Sequence, residues 1–76
     1  MKELVEFLAK GLVDSPDEVH VERVERDGAV VLELHVAPDD VGKVIGRQGR
    51  TARALRTVVR ASGARSNERA LLEIVG

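Results

Sequence analysis

The sequence predicts an α+β fold in which three helices cover one face of a three-stranded mixed sheet. Apolar residues along the 76-residue chain switch between helical and alternating spacing. An Asp-Gly pair separates two alternating segments, which is a strong hairpin signal. Two helical segments then separate the second strand from the third, and a link of that length favours a right-handed crossover between parallel strands. With no linker or repeat, we expect one domain over residues 1–76.

The first element is predicted to be an amphipathic helix over residues 2–13, with a turn at residues 14–17. Its apolar residues recur at helical spacing and are Leu4, Val5, Leu8 and Leu12, with Phe7 at the edge. Strands are predicted at 19–26 and 29–37, joined by Asp27-Gly28. Val24 is out of phase with Val21, so two registers remain open. A bulge near Glu22-Arg23 would restore the phase, whereas a simple two-residue turn would place Glu22 unfavourably opposite Glu33.

The second half of the chain predicts a short helix, a longer helix and a final strand. Asp39 or Asp40 is expected to cap the helix over residues 40–45. In the helix over residues 50–62, Ala52, Leu55, Val58 and Val59 gather on one side, opposite a row of arginines. Gly63 is expected to stop this helix. A loop over 64–67 and a strand over 68–75 complete the order.

The segment between the two helices carries the most specific pattern in the chain. Gly46 and Gly49 bracket Arg47 and Gln48, with Val44-Ile45 before them and Arg50 after. Glycine permits unusual backbone angles and a close approach to a ligand, and unpaired N–H groups at a helix start attract anions. The pattern therefore favours a phosphate-binding loop. The alternative is an ordinary corner between two helices.

The charge distribution favours a polyanionic partner, although the net charge is only −1. From Val41 to Asn67 the chain has seven basic residues and no acid, whereas the remainder has five basic and thirteen acidic residues. Screening limits each field to roughly 10 Å, so local charge decides binding. Arginine supplies six of the seven and suits phosphate. The alternative for Arg56 and Arg60 is a solvated helix face.

Composition argues against several other classes of protein. There is no Cys, which fits a reducing cytoplasm and excludes thiolate metal sites. His20 and His35 are too few and too isolated to indicate a metal centre, and we expect no metal and no cofactor. Phe7 is the only aromatic residue, which disfavours proteins that stack bases on aromatic platforms. The glycine loop lacks the Gly-Lys-Ser/Thr ending of a P-loop, and no catalytic constellation is visible, so we expect no enzyme.

Taken together, the predicted order and the run from Asp40 to Val59 resemble a type II KH domain, specifically the stand-alone bacterial KH proteins of the KhpA family. Gly46 and Gly49 match the family's loop glycines, and Arg47 and Gln48 its variable pair. Ala52 departs from the larger aliphatic residue common there. The resemblance implies single-stranded RNA binding without catalysis in the cytoplasm. It also implies a homodimer or a heterodimer with a larger KhpB/Jag-type partner, and links to post-transcriptional regulation and cell-envelope growth.

The expected RNA-binding residues are Lys43, Val44, Ile45, Gly46, Arg47, Gln48, Gly49, Arg50, Arg53 and Arg65. In this hypothesis the loop and its arginines hold phosphates, and backbone N–H groups near Gly49 and Arg50 meet the anion. Bases lie toward Val44 and Ile45, and Arg65 closes the other wall from the loop before the last strand. The competing hypothesis is a dimerisation or scaffolding module that binds RNA weakly or not at all.

Overall fold

The computed structural model describes the whole chain, Met1–Gly76, and confirms the predicted fold class. Its elements are α1 (Lys2–Lys10), β1 (His20–Arg26), β2 (Ala29–His35), α2 (Val41–Ile45), α3 (Arg50–Arg65) and β3 (Ala70–Val75). Single 3₁₀ turns lie at Pro16–Glu18, Pro38–Asp40 and Arg47–Gly49. None of the helices is both long and apolar enough to span a bilayer.

The sheet has the order β1-β2-β3, with β1 antiparallel and β3 parallel to β2. The hairpin register runs without interruption from Arg26 opposite Ala29 to His20 opposite His35. Asp27 and Gly28 both have positive φ, at 51° and 79°, as a two-residue hairpin turn of the primed type requires. The simple turn is therefore correct, and the alternative with a bulge near Glu22-Arg23 is wrong.

Two local features make this register acceptable. Glu22 does lie opposite Glu33, but Arg26 Nη2 lies 3.4 Å from Glu33 Oε2 and so offsets part of the repulsion. Val24 is out of phase because it belongs to the outer face of the sheet. There it forms an apolar row with Val31 and Leu71, which occupy the same register position on β2 and β3.

One face of the sheet packs against all three helices. The core joins Val5 and Ala9 of α1, Val44 of α2, and Leu55 and Val59 of α3 to a single set of alternating strand residues. On the strands this set includes Val21, Val30, Leu32, Leu34, Ala70 and Leu72. The outer face contributes nothing to this core, which leaves its side chains without a covering element.

Several predicted boundaries are corrected by packing. Helix α1 ends at Lys10, with Gly11 as its C-cap, and does not extend to residue 13. Gly63 does not stop α3, which continues to Arg65. Gly63 is buried, and a Cβ at this position would lie 2.7 Å from both Ala70 Cβ and the Glu68 carbonyl oxygen. The absence of a side chain thus lets α3 approach β3 closely. Strand β3 begins at Ala70 rather than residue 68.

Candidate nucleic-acid interface

The segment from Gly46 to Gly49 forms a tight single turn between α2 and α3. Gly46 has φ 77° and ψ 173°, a conformation that strongly favours glycine. A Cβ on Gly46 would also collide with the Thr51 side chain. Gly49 has φ 74° in the left-handed region, and Gln48 has φ 57°. The bend therefore requires glycine at position 46 and favours it at position 49. It presents Arg47 and Gln48 on an exposed tip.

The backbone N–H groups of this turn already have partners. Gly49 N–H donates to the Gly46 carbonyl at 3.1 Å, and Arg50 N–H donates to the Arg47 carbonyl. These two groups, which the sequence led us to expect on the anion, close the turn in this structure. The capacity of the loop for an anion therefore rests on its basic side chains and on the close approach that glycine permits.

Seven exposed arginines around α3 make no ion pair with any carboxylate. They are Arg47, Arg50, Arg53, Arg56, Arg60, Arg65 and Arg69. Arg50 donates a hydrogen bond from Nη2 to Gln48 Oε1 at 3.3 Å, which links the loop tip to the start of the helix. Apart from Lys43, the basic residues of the acid-free segment thus have no acid paired with them in space. Their positive charge is available to an external anion.

Lys43 differs from these arginines because two acids occupy its ammonium group. Lys43 Nζ lies 3.0 Å from Asp14 Oδ2 and 3.7 Å from Asp40 Oδ1. The hydrogen bond that Lys43 donates to Asp14 and the negative charge of both acids raise the pKa of Lys43. Of all the expected basic site residues, only Lys43 has its charge offset within the chain.

The two expected apolar residues separate into a core residue and a surface residue. Val44 is fully buried in the core. Ile45, directly before the loop, keeps 38% of its surface exposed. Ile45 is therefore the member of the pair that an external ligand can contact.

A cavity of about 510 Å³ opens between α3 and the edge of β3. Four arginines contribute to its wall, namely Arg26, Arg56, Arg60 and Arg69. Arg26 is held by Glu73 at 2.8 Å, and that hydrogen bond raises the pKa of Arg26. Sequence reasoning missed Arg69 because it lies outside the acid-free segment. Only the structure shows that Arg69 is unpaired, because the adjacent Glu68 forms its ion pair with Arg23 and not with Arg69.

Arg65 does not join this group. It occupies the last turn of α3 rather than a loop. At 3.6 residues per turn it points about 180° away from Arg56 around the helix axis. It also lies about 22 Å along the axis from Arg50. The structure therefore brings Arg47 and Arg50 together at the loop, and Arg56 and Arg60 with Arg69 at the cavity, but leaves Arg65 apart.

The order of elements, the mixed sheet and the Gly-x-x-Gly turn between α2 and α3 define a type II KH domain. A family model described as "KhpA/KhpB, KH domain" matches residues 2–74. The chain therefore belongs to the KhpA/KhpB family of KH domains.

Curated relatives cover nearly the whole chain. A protein of Clostridium perfringens, named RNA-binding protein KhpA, is 53% identical over 75 residues, which are 99% of this chain and 100% of the relative. A protein of the same name from Clostridium acetobutylicum has the same identity and coverage. Another from Aquifex aeolicus is 51% identical over 99% of this chain and 95% of its own length.

Proposed function

We propose that this chain is a non-catalytic protein that binds single-stranded RNA through the Gly46–Gly49 turn and the adjacent basic face of α3. The observation that carries the proposal is the group of unpaired arginines beside a turn in which Gly46 has no room for a side chain. The full-length relatives named as RNA-binding proteins support the same ligand. A KH domain clamps about four nucleotides by its Gly-x-x-Gly turn.

In the proposed complex, one phosphate lies against the backbone at Gly46 and Gly49, with Arg47 and Arg50 beside it. Bases turn toward the exposed side of Ile45. Arg53 continues the basic surface along α3 toward Arg56 and Arg60, whose contacts position the strand without specifying sequence. Lys43 and Arg65 have smaller roles than the sequence indicates, because Lys43 is ion-paired and Arg65 lies at the end of α3 that is far from the loop.

The biological role that fits this activity is an RNA chaperone or post-transcriptional regulator in the bacterial cytoplasm, with an influence on cell shape through the RNAs bound. One KH unit contacts few nucleotides. When two copies are linked, binding of the first raises the effective concentration of the second at the RNA and so increases the overall affinity. We therefore include a homodimer, or a heterodimer with a KhpB-type protein, in the proposal.

An apolar surface between α1 and α3 supports the dimer. Its cavity of about 280 Å³ is lined by Leu8, Leu12, Thr51, Ala54, Leu55 and Val58. Phe7, the only aromatic side chain, is 74% exposed on α1, and Leu4 is also exposed. Burying these side chains against a second copy removes apolar area from water. The arginines of the cavity at β3 lie on the opposite side of α3, so two basic surfaces remain accessible in such a dimer.

The test of RNA binding is the double variant Arg47→Asp with Gln48→Asp. Fluorescence anisotropy with a mixed-sequence single strand and a matched duplex is measured over a salt series. The control, Lys2→Asp with Lys10→Gln on exposed positions of α1, changes the net charge equally. We expect the loop variant alone to lose single-strand affinity while it still dimerises. If both variants lose the same single-strand affinity, the affinity depends on net charge and not on the loop.

The competing function is a scaffold with weak or no RNA binding. A second pair of variants distinguishes it from the proposed RNA-binding function. Phe7→Lys should dissociate the dimer in sedimentation velocity, whereas Leu71→Lys, an exposed position on the outer sheet face, should not. If the wild type binds no RNA at low salt yet dimerises through Phe7, the scaffold is correct and the RNA proposal fails.

A further inference from the structure

We propose that His20, Glu22 and His35 form a binding site for a divalent transition-metal ion on the outer face of the sheet. The two histidines are distant in sequence, but the hairpin register places them directly opposite each other. Side chains at such cross-strand positions have Cβ atoms about 4.5–5.5 Å apart. Glu22, two residues from His20 on the same strand, projects from the same face.

The possible ligand atoms of these three side chains all lie within 4.8 Å of one another. His20 Nε2 lies 3.6 Å from Glu22 Oε1. Zinc sits about 2.0–2.2 Å from nitrogen and carboxylate ligands, so its donors are separated by less than about 4.4 Å. The donor atoms therefore have to move closer together by only a few tenths of an ångström.

His35 provides a second observation in favour of a ligand. Its Nε2 atom is buried and has no hydrogen-bond partner. Buried polar atoms are rarely left unpaired, and a metal ion is one partner that would satisfy this nitrogen. Glu33 Oε1 lies 3.6 Å from the same nitrogen, but its other oxygen faces Arg26, and Glu33 is not among the donors that lie within 4.8 Å of one another.

The imidazole rings must change orientation to bind one ion. They are stacked with centroids 4.3 Å apart and planes inclined by 3°. A ring nitrogen binds metal through a lone pair in the ring plane, so two parallel rings cannot both direct their lone pairs at one ion between them. Rotation about the side-chain torsions splays the rings, and the uncovered face of the sheet leaves room for this movement.

The donor set selects the class of ion. Two imidazoles with a carboxylate suit Zn²⁺, Cu²⁺ or Ni²⁺, whereas Mg²⁺ and Ca²⁺ prefer oxygen ligands alone. Three protein ligands leave a fourth position for water. A bound cation also reduces the repulsion between Glu22 and Glu33 and ties β1 to β2. The site uses none of the residues of the proposed RNA interface, so metal binding can be tested independently of RNA binding.

The test is calorimetric titration of the full chain, freed of metal by chelator, with Zn²⁺ and separately with Mg²⁺. We expect one Zn²⁺ per chain, no response to Mg²⁺, and a higher midpoint of thermal unfolding with Zn²⁺. His20→Gln and His35→Gln should each weaken Zn²⁺ binding by at least about tenfold, since even indirect ligand contacts contribute that much. Glu25→Gln, on the same strand but the opposite face, is the matched control and should bind as the wild type does.

Nitrogen chemical shifts of the two imidazoles in the wild type provide a readout that does not depend on the variants. Both rings should shift in proportion to added Zn²⁺ and reach their end point at one equivalent. The proposal is overturned if the imidazole shifts do not change, if the histidine variants retain wild-type affinity, or if one ion binds two chains.

Discussion

The buried carboxylate of Asp40 accepts a hydrogen bond from the Ser15 backbone N–H at 3.0 Å. Its other oxygen accepts one from the Asp14 N–H at 3.2 Å. Asp40 occupies the N-cap position of α2, as one of the two expected residues, but its side chain, only 2% exposed, makes no capping hydrogen bond. Asp40 instead fixes the turn after α1 to the start of the helix that leads to the glycine loop.

Asp40→Ala should lower the free energy of unfolding by about 2–4 kcal/mol, because it leaves two part-buried N–H groups without an acceptor. Urea denaturation followed by circular dichroism measures the loss. Asp39→Ala is the control, since Asp39 is exposed and makes no side-chain hydrogen bond or ion pair. A loss of equal size in both variants would mean that the two hydrogen bonds contribute nothing specific.

Gly46→Ala should destabilise the domain by at least ~2 kcal/mol, because the substitution combines an unfavourable backbone conformation with a collision at Thr51. Gly42→Ala is the matched control within α2, where a Cβ meets nothing within 4 Å. This second change should stabilise the helix by up to about 1 kcal/mol. Urea midpoints compare the two variants. Tolerance of alanine at Gly46 would show that the loop can adopt another path.

Gly63→Ala should destabilise the domain although alanine is the better helix former. The added Cβ has to separate α3 from Ala70 and the Glu68 carbonyl, and such overpacking costs about 1–3 kcal/mol. Ala61→Gly, at an exposed position of the same helix, reports propensity alone and should cost up to about 1 kcal/mol. Thermal unfolding distinguishes the two effects. A stabilised Gly63→Ala variant would contradict the close packing of α3 on β3.

Periodicity and turn chemistry were sufficient to predict the elements, their order and the glycine loop. They could not predict features that depend on tertiary distances. Gly63 has the sequence signature of a helix stop, and only the proximity of β3 explains why the helix passes through it. Likewise, His20 and His35 are isolated in sequence, and the hairpin register is what places them in contact. Asp40 and Lys43 contact the turn after α1, at Ser15 and Asp14 respectively, and no local sequence pattern predicts these contacts.

Arg60→Gln should weaken binding of single-stranded RNA evenly across sequences, because Arg60 faces the arginine-lined cavity and is positioned for a phosphate rather than a base. The slope of log affinity against log salt should become shallower by about 0.7, the value for one phosphate contact on a single strand. Arg23→Gln removes the same charge from a side chain already paired with Glu25 and Glu68, and should leave that slope unchanged. Anisotropy titrations from low to physiological salt measure both slopes. If the Arg23 variant changes the slope as much as the Arg60 variant does, the cavity beside β3 does not contact the RNA, and the bound strand is confined to the glycine loop.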